Sequence, residues 1–227
     1  MDLQGDRSAT TWEVLRSTAG PMLWGAVKGT IPLTVISFVI GLALALVVAL
    51  GRLSSSRLAN VPARVFVSII RGTPLLAQLF IVYFGLGQIG LKLDPYVAAT
   101  VAFSLNVAGY AAEIIRGAIL SVPRGQFEAA TSIGMDRRLT MRRVVLPQAA
   151  RIAVPPLGNT LLSLIKDTSL AAVVLVPELF RAAVSAASTS FEYLPLYLLA
   201  AFYYWVICFL VSLAQEPLER RLGRYVS

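Results

Sequence analysis

Apolar residues along this chain gather into long runs separated by short basic stretches, and five of these runs are long enough to cross a bilayer as helices. The first covers residues 23–50. It carries Lys28 near its start and two glycines four apart, Gly25 and Gly29, a spacing that suits a close helix contact. The second covers residues 61–89 and is interrupted at Arg71-Gly72-Thr73-Pro74. A threonine followed by proline reads as a helix start, with the hydroxyl capping free N–H groups and the proline fitting the first turn. This predicts an elbow helix lying on the surface over residues 61–70, then a span over residues 74–89. The third span is residues 95–115. The fourth is residues 156–176, bounded by prolines, and the fifth is residues 194–214, rich in Tyr and Phe. Runs of this size cover roughly 30 Å of hydrocarbon at about 1.5 Å per residue. The pattern predicts an all-α, polytopic membrane protein.

Residues 117–150, between the third and fourth spans, are too polar to cross a membrane. Within them GQFEAATSIGM, residues 125–135, favours a helix that Gly134 breaks. A second short, basic helix follows from Arg137 to Leu146 and is expected to end at Pro147. The chain thus divides into an N-terminal segment 1–22, a membrane domain 23–216 with an ordered basic loop, and a basic tail 217–227.

Charge sets the expected orientation. The protein is 57% hydrophobic and 14% charged, with a formal net charge of +8. In a soluble protein that balance would suggest nucleic acid; here the basic residues lie between apolar runs, which suits a membrane face better. Arg52, Arg57 and Arg64 follow the first span. Arg116, Arg124, Arg137, Arg138, Arg142, Arg143 and Arg151 follow the third, and Arg220, Arg221 and Arg224 close the chain. The other two loops hold only Lys92 and Arg181. Positive residues stay in the cytoplasm, so five spans put the N-terminus outside and the C-terminus inside. Arg7 and Arg16 dissent, partly offset by Asp2, Asp6 and Glu13. The mixed first twenty residues do not read as a signal peptide, so the first run is expected to insert and stay.

The chain has no histidine and a single cysteine, Cys208, which removes His-based triads, His-ligated metals and an intrachain disulfide. Polar groups inside spans are costly and mark functional candidates. Asp167, Asn106, Thr160 and Ser163, polar groups at mid-depth, are candidates for a substrate path. A competing account makes Asp167 architectural, paired with Lys166 or Arg71. Asn159, Thr160 and Ser163 also suit interhelical hydrogen bonds. Glu113 and Arg116, three apart, suit a helix-surface ion pair. Arg71 suits a cap, a lipid-phosphate contact or a substrate contact. A secondary transporter or channel could use the same groups, but the two halves show no repeat.

A resemblance narrows these readings. Glu128-Ala129-Ala130, Gly134, Val144 and Leu146-Pro147 stand at the spacing of the EAA loop of ABC importer permeases. Arg71-Gly72-Thr73-Pro74-Leu75-Leu76, residues 108–117, Leu146-Pro147-Gln148-Ala149 and Lys166-Asp167-Thr168-Ser169-Leu170 are similar to its polar amino-acid branch. The likeness covers roughly residues 20–225 and departs only slightly, with Val144 where isoleucine is usual and Ala118 where glycine is common. It implies a type I importer permease of the histidine, glutamine, arginine or cystine kind, located in a bacterial inner membrane. It also implies a coupling helix that docks a separate ATPase through Gln126, Glu128, Ala129, Ala130, Gly134, Leu146 and Pro147. The implied partners are that ATPase, an extracytoplasmic solute-binding protein, a second permease copy or paralogue, and an amino acid. No phosphate loop of the G-x-x-x-x-G-K-[ST] kind occurs, so ATP and Mg are expected on the partner and no catalysis in this chain.

Overall fold

The computed structural model describes residues 10–223. Asp2, Asp6, Arg7 and Arg224, which entered the charge argument, lie outside them. The described residues form helices and no strand. In chain order these are α1 Thr11–Leu53, α2 Arg57–Gly72, α3 Leu75–Gln88, α4 Pro95–Leu120, α5 Arg124–Ser132, α6 Arg137–Val174, α7 Leu179–Ser190 and α8 Tyr193–Gly223. Helices α1, α4 and α8 are each long and apolar enough to cross a membrane. The bent pairs α2–α3, at 109°, and α6–α7, at 47°, bring the number to five when each pair counts as one span.

The core forms where α4 meets α1. Leu33 and Ala45 of α1 and Phe103 and Val107 of α4 are buried there. Helix α4 presents Ala98, Ala99, Ala102, Ala111 and Ala112 to its neighbours, all with no exposure, and such small side chains let helices approach closely. Asp94 starts this helix by accepting a hydrogen bond from the Tyr96 N–H at 2.8 Å.

The glycine pair of α1 is used inside the chain. A Cβ on Gly29 would stand 2.3 Å from the Pro177 carbonyl oxygen, and one on Gly25 would stand 2.8 Å from the Glu178 carbonyl. The contact predicted for Gly25 and Gly29 is therefore made with the backbone before α7. Glu178, with only 1% exposure, secures the same junction. Its carboxylate accepts from the N–H groups of Phe180 at 2.8 Å and Arg181 at 2.5 Å, and from the hydroxyls of Thr30 at 3.3 Å and Tyr204 at 2.8 Å. Both oxygens of the buried carboxylate are engaged, Oε1 by the Arg181 N–H and Oε2 by the other three donors, which is what allows it to sit there.

Several sequence expectations need correction. The first helix begins at Thr11, well before residue 23, because its polar first turns bear on α7 and α8. The elbow helix is longer than expected and ends at Gly72. At the break, the Thr73 hydroxyl does not cap α3. It donates to the Ile69 carbonyl at 2.8 Å, closing the end of α2, and no side-chain cap is made to α3. The basic helix from Arg137 does not stop at Pro147, which sits in a turn just after a π-helical stretch, Met141–Val145. A proline whose preceding turn is already widened costs the helix little. The fourth span therefore does not start at Pro156 but runs on from Arg137, with Pro155 and Pro156 inside it. The connection carrying Arg181 is the helix α7, not a loop.

Candidate functional site

A cavity of about 510 Å³ opens where the α2–α3 break meets α4 and α6. Thr73, Pro74 and Leu75 form one wall, Asn106, Val107 and Tyr110 a second, and Asn159, Thr160, Ser163, Leu164 and Asp167 a third. The four residues predicted for a substrate path, Asn106, Thr160, Ser163 and Asp167, thus come together. The reason is helical spacing: 160, 163 and 167 fall on one face of α6, and 106 and 110 on one face of α4. The volume is within the range of small-molecule sites.

The polar groups around the cavity differ in how far they are already engaged. Thr160 donates to the Pro156 carbonyl at 3.0 Å, within its own helix. Asn106 donates to Gln78 Oε1 at 3.2 Å. Gln78 in turn donates to the Ile70 carbonyl at 2.8 Å and the Thr73 hydroxyl at 3.0 Å, which fixes the break beside the cavity. Gln78 went unnoticed in the sequence, although a glutamine one turn after a helix break in an apolar run was a usable signal. The four ion pairs among the described residues do not include Asp167. Its neighbour Lys166 lines a separate recess with Tyr197, Tyr204, Trp205 and Cys208, as the 100° step between successive helical residues requires.

Arg71, the other proposed partner of Asp167, is taken up elsewhere. Its guanidinium lies 5.5 Å from the centre of the Tyr110 ring and 4.0 Å from Glu113 Oε2. Glu113 is also held by Arg52 and Arg116, each at 3.0 Å. The predicted 113–116 pair exists, but it is one part of a junction that joins the ends of α1 and α2 to α4. Arg52 and Glu113 are 15% and 18% exposed, so their pairing is screened less than a surface one. Replacing Glu113 with Gln leaves three guanidiniums crowded without their anion. We expect a loss of about 2 kcal/mol, or roughly 6 °C in the thermal unfolding midpoint of the detergent-solubilised protein. Adding Arg116→Gln should recover part of it; an unchanged midpoint in Glu113→Gln would show that the junction does not stabilise the fold.

On the arginine-rich side, α5 stands as a separate short helix. Its end is a Schellman turn: the Met135 N–H bonds the Ala130 carbonyl at 3.0 Å and the Gly134 N–H bonds Thr131 at 2.9 Å. Gly134 has φ +79°, a left-handed conformation that suits glycine. Asp136 then starts α6 by accepting from the Leu139 N–H at 2.7 Å. Gln148 of α6 donates to Gln126 of α5 at 3.2 Å, tying the two together. Of the predicted docking residues, Gln126, Glu128, Ala129 and Gly134 are exposed on this module, whereas Ala130 is buried against the chain itself. Leu146 and Pro147 are exposed further along, on α6. Ile133, at the tip and 78% exposed, was not singled out from the sequence.

Comparison with known proteins agrees with this layout. Residues 41–224 match the family model described as binding-protein-dependent transport system inner membrane component. The chain is 51% identical over 221 residues to the L-cystine transport system permease protein TcyB of Bacillus subtilis, covering 97% of this chain and 94% of that protein. It is 38% identical over 204 residues to the glutamine transport system permease protein GlnP of Escherichia coli, covering 89% and 93%. Among solved structures, an amino acid ABC transporter crystallised with histidines superposes with a TM-score of 0.88 at 33% identity, covering 95% of this chain and all of that one. The MetNI methionine ABC transporter, at 20% identity and a TM-score of 0.69, shares the fold, with 95% of this chain and 99% of that one covered.

Proposed function

The chain belongs to the family of binding-protein-dependent transport system inner membrane components and is a permease subunit of an amino-acid ABC importer, and from that premise we propose that its polar cavity is a station on the substrate path and that α5 seats the ATPase. The observation that carries this reading is the carboxylate of Asp167, free of any ion pair among the described residues and lining one cavity with Asn106, Asn159 and Thr160. A zwitterion needs partners for both charges when it leaves water. Asp167 accepts from the ammonium; the amides of Asn106 and Asn159 donate toward the carboxylate. The site is polar and partly open, which suits weak holding and release. L-cystine is the first substrate to test, given the relative at 51% identity.

The remaining assembly follows from the same reading. An ATPase carries ATP and Mg and receives Gln126, Glu128, Ala129 and Gly134 of the α5 module, with Leu146 and Pro147 flanking it. A solute-binding protein delivers the amino acid from outside, and a second permease copy or a paralogue completes the pathway. The arginine-rich loop and the C-terminus face the cytoplasm and the N-terminus faces outward.

Cysteine labelling tests sidedness and path together. In a Cys208→Ser background, Arg138→Cys should react with an impermeant maleimide only from the cytoplasmic side and Ser188→Cys only from the outer side. Both positions are exposed. Thr160→Cys should be protected by L-cystine or another transported amino acid when the whole complex is present. Arg138→Cys and Ser188→Cys reacting from one side would overturn the orientation, and labelling of Thr160→Cys that ignores every transported amino acid would remove the cavity from the path.

A further inference from the structure

A second and larger cavity, of about 680 Å³, lies behind α5, between that helix, the start of α6 and the ends of α1 and α4. Its lining is mostly apolar, with two arginines and the hydroxyls of Thr131 and Thr140. Leu53 is the last residue of α1 and Leu120 the last of α4, and with them Ile119, Phe127 and Met141 make up an apolar part in which Ile119 is buried and Leu120 is exposed. Arg124 and Arg137 stand at its rim. Both are exposed, and neither belongs to any of the four ion pairs among the described residues.

We propose that this cavity holds one anionic glycerophospholipid of the leaflet on the arginine-rich side. Three observations point to that occupant. The cavity lies at the ends, Leu53 and Leu120, of two helices long and apolar enough to cross a membrane, and a headgroup layer is expected near such arginine-flanked ends. An apolar lining with cations at its edge matches a molecule with an acyl chain and a phosphate on one end. A guanidinium pair also suits a phosphodiester, which offers two oxygens to planar donors. Arg124, Phe127 and Thr131 share one face of α5 at helical spacing and turn toward the cavity. Of the residues proposed to meet the ATPase, Ala129 lies on the opposite face of α5 and Glu128 at the border of the cavity face, one turn on from Arg124. One short helix therefore has a lipid behind it and a protein in front of it. The inference does not depend on which solute is carried or on whether Asp167 touches it.

The test uses the full-length permease purified with its ATPase and equilibrated with phosphatidylglycerol in an excess of phosphatidylcholine. Native mass spectrometry counts the phosphatidylglycerol retained per permease chain. A photoactivatable phosphatidylglycerol should crosslink the unaltered protein at Leu53 or within residues 119–141. Each arginine near an anionic headgroup changes its binding by about fivefold. The double variant Arg124→Gln/Arg137→Gln should therefore lower retention by roughly twenty-five-fold, with phosphatidylcholine retention unchanged. Arg142→Gln/Arg143→Gln removes the same charge from neighbouring positions that do not line the cavity, and should change retention by less than about twofold. Equal losses in the two double variants would mean diffuse surface attraction and would overturn the proposal. So would crosslinks confined to other segments, or lipid that is retained by the isolated permease and displaced once the ATPase binds, since the cavity would then belong to the protein partner. Should the first double variant fail to fold, the crosslinking of the unaltered protein decides alone.

Discussion

Replacing Asp167 with Asn is expected to cut amino-acid uptake by tenfold to a hundredfold while leaving assembly and basal ATP hydrolysis intact. The change keeps shape and removes charge. A hydrogen bond from an ammonium to a carboxylate contributes about 1.5–3 kcal/mol, and an amide oxygen recovers only part of it. Converted to affinity, that is a factor of about ten to a hundred. Folding should be little affected, because the carboxylate has no ion pair among the described residues whose loss would unbalance the core. The assay is uptake of L-cystine and glutamine into vesicles holding the permease, its ATPase and its solute-binding protein. A raised apparent KM at unchanged complex yield is the predicted form of the defect. Unchanged uptake, or a complex that no longer assembles, would mean that Asp167 is not a substrate ligand.

Glu128→Arg is expected to separate the permease from its ATPase without harming the permease itself. Glu128 is exposed and belongs to none of the ion pairs of the described residues, so reversing its charge should leave the thermal midpoint within about 1 °C of the parent. At a docked contact the same reversal sets a cation where an anion was accommodated and costs on the order of 3 kcal/mol, about a hundredfold in affinity. Co-purification of the ATPase should fall accordingly, and substrate-stimulated ATP turnover should be lost. Gly134→Asn provides a contrast. Asparagine tolerates positive φ, so the turn at φ +79° should survive and docking should weaken only where the added side chain meets the partner. Normal co-purification and normal stimulation in Glu128→Arg would remove α5 from the docking surface.

Much of this was legible in the chain because membrane spans are written in long apolar runs. The five runs, the break before Pro74 and the separate α5 all follow from composition and turn residues. The grouping of Asn106, Thr160, Ser163 and Asp167 around one cavity was legible for another reason: polar groups are rare in spans, and helical spacing puts 160, 163 and 167 on one face. Less legible was everything set by contact across the fold. Glu178 carried no sequence signal because its four donors come from α1, α7 and α8, which no local pattern announces. The 113–116 pair looked self-contained because Arg52 and Arg71 reach it from two other helices. Prolines misled twice. Pro147 and Pro156 read in the sequence as helix boundaries, whereas a π-helical turn and tolerated interior prolines let the helix pass.

The passage of α6 through Pro147 has a mechanical consequence. The helix that begins at Arg137, beside the α5 module, is the helix that carries Asp167. Thirty residues of rise set these two points about 45 Å apart along one rod. A rod of that length swung by about 5° about one end carries its far end sideways by about 4 Å, roughly the diameter of a methyl group. Small rotations at the arginine-rich end are thereby geared up into displacements comparable to the width of a substrate.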